Sequence, residues 1–314
     1  MRTVLISGLV GAVAVAGLSA CGDDATTSAE GPRVVVTTSI LGDVVGELVG
    51  DDATVEVLMP PGVDPHDFAP SAQQVAALRS AEVAVVNGLG FEEGLEAVIE
   101  AAADDGITVL VATDAIEPIE LADPHDRHDG EADQEDEGAD PHFFTDPARM
   151  RQAAEHLAEG LAATIPALRG EAGRERIDAY LDELDGLDAE VESLLDDVPA
   201  DRRVLVTNHE VLGYFAERYG FEVIGAIVPG GSTLAEPSAA DLAELASVIE
   251  ERDVPAVFAD TSSPSRLVRA LAEEGVDVQV VELFSESLGE AGSGADTYVG
   301  MVRTNATRIA AALR

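Results

Sequence analysis

Twice along this chain, short runs rich in valine and isoleucine alternate with segments of helical periodicity. The first series has apolar runs at Arg33–Thr38, Thr54–Met59, Glu82–Asn87 and Ile107–Val111, with helical patterns at Leu41–Val49, Ser71–Arg79 and Glu92–Ala103. The second has runs at Arg203–Thr207, Glu222–Val228, Ala256–Asp260 and Val276–Glu282, with helical patterns at Leu212–Tyr219, Ser238–Glu251, Pro264–Glu274 and Thr297–Leu313. Near-continuous apolar strands need cover on both faces, and parallel neighbours need crossovers long enough to be helices. The pattern predicts an α/β protein of two (βα)4-like lobes, each with a parallel sheet.

A helical region separates the two series. Pro147–Thr164 predicts one helix, ended near Pro166 and Gly170. Glu171–Val198 then runs without proline, and Ile177, Leu181, Leu184, Leu187, Val191, Leu194 and Leu195 recur at spacings of three and four. A helix of about 25 residues reaches roughly 40 Å, enough to span a lobe, so a single long interlobe helix is expected. The organisation predicted is a leader at 1–20, a tether at 21–32, an N-terminal lobe at 33–168, a linking helix at 169–200 and a C-terminal lobe at 201–314.

Charge narrows the function. The chain has 61 acidic and 18 basic residues, a net charge of −43, and every basic residue is arginine. A polyanionic surface argues against nucleic acid and anionic membranes as partners. The absence of lysine excludes a Walker-A phosphate site, a Schiff base or a Ser-Lys dyad. The single cysteine, Cys21, excludes an intramolecular disulfide. It follows Arg2, an apolar stretch from Val4 to Leu18, and Leu18-Ser19-Ala20. That stretch is too short to span a bilayer, which takes about 20 residues, and it reads as a secretory leader ending in a lipobox. Cleavage before Cys21 and lipidation of its thiol would place the protein outside the cytoplasm, anchored to the cell membrane. The polar segment Gly22–Pro32 would be its tether. Asp123–Asp140 holds nine acids in 18 residues with no apolar periodicity, which predicts a disordered loop. Its His125 and His128 form a weak auxiliary metal tract.

The histidines carry the chemistry. His66 follows the second strand in Pro60-Pro61-Gly62-Val63-Asp64-Pro65-His66-Asp67-Phe68. His142 precedes a helix in Asp140-Pro141-His142-Phe143-Phe144-Thr145-Asp146-Pro147, and His209 follows the fifth strand in Thr207-Asn208-His209-Glu210. Ligands of open α/β sheets bind beyond the carboxyl ends of the strands, and neutral imidazoles gathered there suit a divalent transition metal. On spacing alone, a metal centre and separate structural roles stand as equal alternatives.

Four segments, PPGVDPHDFAPSAQQ, ADPHFFTDPARM, TNHEVLGYFAERYGF and ELFSESLGEAGSGADTYVGMVRTN, closely resemble the metal-binding lipoproteins of zinc and manganese ABC importers (the cluster A-I, TroA-like substrate-binding proteins). The resemblance covers nearly the whole chain after the leader. It implies metal held between two lobes by His66, His142, His209 and a carboxylate matching Glu286, where many members have Asp. It also implies a cognate permease with its ATPase as partners, a monomer, and binding without catalysis. An N3O donor set suits tetrahedral Zn2+, whereas Mn2+ prefers more oxygen and binds more weakly. Members with Glu at the third position lean to manganese, so His209 leans to zinc as the transported ligand, with Mn2+ the alternative. Asp64, Asp67, Asn208 and Asp260 are candidates to orient the imidazoles. A secreted zinc hydrolase is the competing class; it lacks both an HExxH and a GxSxG motif, and a fourth protein ligand leaves little room for an activated water.

Overall fold

The computed structural model describes residues 31–121, 138–228, 230–234, 238–262, 271–272 and 275–314. The leader, Cys21, and His125 and His128 of the acidic loop lie outside the described residues, as does nearly all of the helix expected over 264–274. No helix among the described residues is long and apolar enough to cross a membrane.

Among the described residues, eight strands form two four-stranded parallel sheets. β1 (Arg33–Val36), β2 (Thr54–Val57), β3 (Val83–Val86) and β4 (Thr108–Val111) lie in the order β2-β1-β3-β4. β5 (Val204–Thr207), β6 (Glu222–Ala226), β7 (Ala256–Asp260) and β8 (Gln279–Leu283) repeat that order as β6-β5-β7-β8. The direction of winding therefore reverses between β1 and β3 and again between β5 and β7, which opens a crevice at the strand ends in each sheet.

Eight helices are described: α1 (Ser39–Val49), α2 (Ala72–Leu78), α3 (Glu96–Asp104), α4 (Pro147–Thr164), α5 (Glu171–Leu195), α6 (Gly213–Tyr219), α7 (Ala239–Glu251) and α8 (Tyr298–Leu313). Their starts follow the capping chemistry. Ser71 and Ser238 each close a capping box, with Gln74 and Asp241 three residues on. Asp146 caps α4, with Pro147 in its first turn, where a missing N–H costs nothing.

Strand alternation divides the interior. Val34 and Val36 face one side of the first sheet and Val35 the other; the latter packs with Leu78, Ala84 and Ala102 of the outer layer. In the second sheet Leu205 and Phe258 share the first side, while Val206 and Val257 pack outward with Leu245 and Ile249 of α7. The inner faces of both sheets belong to a single hydrophobic core. α5 runs through it with Tyr180, Leu181, Leu184, Leu187, Val191 and Leu195 buried. The expected long interlobe helix is present as α5: its apolar stripe packs into the core that the two lobes share, and residues 31–314 form one compact unit.

Candidate metal centre

Four loops deliver four side chains to one buried point. His66 stands in the loop after β2. His142 stands just before a 3₁₀ turn, Phe143–Thr145, that leads into the capped start of α4. His209 follows β5, and Glu286 lies in the long loop between β8 and α8. Each is 2% exposed or less. One donor atom from each lies within 4.8 Å of all the others. Glu286 Oε1 is 2.7 Å from His209 Nε2 and 3.5 Å from His142 Nε2, and its Oε2 is 3.6 Å from His66 Nε2. A tetrahedral ion with bonds of about 2.0–2.1 Å has donor–donor edges of roughly 3.4 Å, so the spacing matches a single small cation.

The electrostatics of the four groups are poor without a cation. Nε2 of all three histidines and both oxygens of Glu286 are buried without a hydrogen-bond partner, an arrangement that normally costs one to several kcal/mol per group. Burial holds the His142 imidazole well below its ordinary value, and the His209 and His66 rings add to this. Burial also lowers His209, against the pull of Asp260, Asp64, Asp140 and Glu210. It pushes Glu286 well above the carboxylate range, with His66 opposing and Asp260, Asp64 and Asp140 adding. Neutral imidazoles beside a carboxyl that resists ionisation are the state that a divalent ion would reverse, releasing a proton as it binds.

The Asp-Pro-His triplets at 64–66 and 140–142 form the same turn. The His66 N–H donates to Asp64 Oδ1 at 3.0 Å, and the His142 N–H to Asp140 Oδ1 at 2.8 Å. Aspartate accepting from the backbone two residues on is the Asx turn that these residues favour. Asp140 Oδ1 also lies 2.8 Å from His142 Nδ1, which fixes the ring with Nε2 toward the centre. Burial raises Asp140 to about 7, against the His142 N–H. The carbonyl of Asp140 accepts from Tyr214 Oη of α6 at 2.7 Å. The buried ring of Phe91 meets His66 and His142 edge-on at 5.2 and 5.5 Å, an apolar wall behind the imidazoles.

The other residues singled out in the sequence are placed as follows. Asp64 accepts from Thr233 Oγ1 at 2.7 Å with its second oxygen. Asp67 is exposed on the rim of a cavity of about 340 Å³ that Asp64, Asn208 and His209 also line. Asn208 Oδ1 accepts from the Asp260 N–H at 3.3 Å. Asp260 is buried and holds the N–H and hydroxyl of Ser285, next to Glu286, at 3.1 and 2.6 Å. Neither Asp140 nor Glu93, whose Oε1 lies 3.5 Å from His66 Nδ1, stood out in the sequence. Asp140 had a signal in the repeated Asp-Pro-His triplet; Glu93 had none.

Known proteins of similar sequence and structure are named for metal binding. The chain is 37% identical over 287 residues to the zinc-binding protein TroA of Treponema pallidum, covering 90% of this chain and 89% of that protein. It is 29% identical over 309 residues to the manganese-binding lipoprotein MntA of Halalkalibacterium halodurans, covering 97% of each. The solved structure of the periplasmic zinc-binding protein TroA from T. pallidum superimposes with a TM-score of 0.79 at 35% identity, over 90% of this chain and 99% of that one. A zinc-bound ZnuA deletion mutant does so at 0.74 and 27%, over 90% and 98%. The family model for zinc-uptake complex component A, periplasmic (ZnuA), matches residues 34–312, and the chain belongs to that family.

Proposed function

We propose that this protein is the extracytoplasmic substrate-binding component of an ABC metal importer, which captures Zn2+ through His66, His142, His209 and Glu286 and hands it to a membrane permease driven by its ATPase. The observation that carries this reading is the set of buried, unpartnered donor atoms facing one point. A bound cation would satisfy all of these donors at once. Asp140, Asp64 and Asp260 support it as outer-sphere anchors of the ligand loops, while Asp67 and Asn208 stand at its margin. The lipobox at Cys21 supports a lipid anchor after loss of residues 1–20, His125 and His128 would serve as an accessory tract, and the protein would act as a monomer. Binding, not hydrolysis, is favoured because the carboxylate of Glu286 occupies the position at which a catalytic zinc keeps its water.

Manganese is the second reading. It rests on the MntA relatives and on Glu286, whose two oxygens both face imidazoles. Elemental analysis of the purified chain beside Glu286→Ala and His209→Ala decides between them. One zinc per chain, lost or weakened in both variants, is the expected result. One manganese in its place would move the protein to the second reading, and no retained metal under any loading condition would refute both.

A further inference from the structure

The segment Gly230–Leu234 contributes no donor to the centre, yet it touches the loops of all three histidines. The carbonyl of Gly230 accepts from the N–H of Glu210, next to His209, at 3.1 Å. Gly231 packs so closely on Leu121 and Pro141, the latter next to His142, that an added Cβ would lie 3.0 Å from Leu121 and 3.5 Å from Pro141. Ser232 Oγ donates to Glu93 Oε1 at 2.6 Å, and that oxygen stands 3.5 Å from His66 Nδ1 without a hydrogen bond between them. Thr233 Oγ1 donates to Asp64 Oδ2 at 2.7 Å, while Asp64 Oδ1 holds the His66 N–H. Two adjacent hydroxyls after β6 therefore reach across to the two carboxylates that flank His66 in the other lobe. Gly230 has a φ of +91°, a backbone conformation that places the hydroxyls there and that other residues adopt only with strain. Thr233 and Leu234 also wall the 340 Å³ cavity onto which His209 opens, with Asp64 and Asp67 on the same lining.

We infer that Gly230–Leu234 is a cleft-spanning latch, in which Thr233 positions His66 through Asp64 while Ser232 pins Glu93 across the cleft beside the ring, and the two hydroxyls together set how fast the bound metal leaves. The inference rests on the zinc reading above. When the latch is formed, His66 is fixed from both lobes and the cavity beside His209 is walled. When it is undone, the His66 loop keeps its own Asx turn but loses its cross-lobe restraint, and the donor facing Glu286 Oε2 is free to swing away. A net contribution of about 1 kcal/mol per hydrogen bond corresponds to a several-fold change in rate for each hydroxyl.

The test is zinc release from the purified chain into excess chelator, followed by stopped flow, with the association rate measured separately. Ser232→Ala and Thr233→Val are each expected to release zinc roughly 3–10-fold faster, and the double variant more than tenfold faster, with association changed less than threefold. Thr233→Ser, which keeps the hydroxyl, should restore the wild-type rate. The unfolding midpoint of the metal-free double variant should stay close to that of the wild type. A double variant that holds zinc but releases it within twofold of the wild-type rate overturns the latch alone. Uptake and release accelerated equally, with affinity unchanged, would mean that the segment only obstructs the mouth and would overturn the positioning role. A wild-type chain that holds no zinc overturns the metal reading, and the latch with it.

Discussion

The loops carrying His66 and His142 begin with the same three residues and fold into the same turn, but they are held in different ways. In the His142 loop one carboxylate oxygen of Asp140 serves both the backbone N–H and the ring Nδ1, so the imidazole is oriented from within its own triplet. In the His66 loop the first oxygen of Asp64 serves the backbone, the second goes to Thr233 across the cleft, and the ring faces Glu93 at a longer 3.5 Å. Identical local sequence fixes identical local backbone; it does not fix what the remaining polar atoms bind. Both loops are touched from the opposite lobe, by Tyr214 on Asp140 and by Thr233 on Asp64, but only the His142 ring is also oriented by its own triplet, whereas the spare oxygen of the His66 triplet is bound across the cleft. A site built this way has both a firm and a yielding side.

The comparison can be broken at several depths. The largest effect is expected from removing either ring: His66→Ala and His142→Ala should each weaken zinc by more than the roughly 10–100-fold typical of outer-sphere partners. Competition titration against a chromophoric chelator measures this, and wild-type affinity in either variant would remove that ring from the ligand set. Next come the two turn aspartates. Asp140→Asn keeps an oxygen for the turn but loses the charge behind the imidazole, and should cost about 10–100-fold in affinity. Asp64→Asn should cost less than about tenfold at equilibrium and act mainly on release. Finding the larger equilibrium loss in Asp64→Asn would invert the assignment of the firm and yielding sides.

The smallest effect is the pH dependence. Burial raises Asp140 to about 7 from an ordinary 3.8. In the metal-free chain this carboxyl therefore holds a proton that the unfolded chain has lost, so its contribution to stability is present at low pH and disappears as pH rises through about 7. Metal binding requires the proton to leave, so zinc affinity should change in the opposite sense and fall as pH drops from 7.5 to 6, by at most about tenfold per pH unit for each proton displaced. Glu286, also raised, adds to the slope. Titrations at both pH values with Asp140→Asn should show a shallower slope than wild type; an unchanged slope would assign the proton elsewhere.

Much of the scaffold was legible in the sequence because buried parallel strands announce themselves as unbroken apolar runs. β7 and α4 fall on the expected residues, whereas β8 begins three residues later than the run Val276–Glu282 implies, because Val276 and Val278 pack against the outer core of the second sheet before pairing starts. The pattern also starts α3 at Glu92. In the structure Glu92 is instead a buried carboxylate accepting from Thr37 Oγ1 and from the N–H groups of Asn87 and Gly88, and the α-helix begins at Glu96. Periodicity treats a glutamate as solvent-facing, and nothing local reveals that strand-end amides await it. The four converging side chains were found through motif resemblance and not through spacing. Asp140 was hidden among 61 acids, and the partners of Glu93 and Thr233 exist only once the two lobes are assembled.

The shared core around α5 has a consequence for how the protein reports its own loading. Prising the lobes apart would strip solvent-free contacts from Leu184, Leu187 and Val191 together, and a single truncation among such residues already costs about 2–5 kcal/mol. A hinge opening of the two lobes would have to break this shared core. A receptor that must tell full from empty has to sense side-chain and loop positions at the mouth instead of a change in silhouette. With the scaffold shared, the loop residues around the centre are where relatives named for zinc and for manganese, at 37% and 29% identity, have room to differ in ion choice.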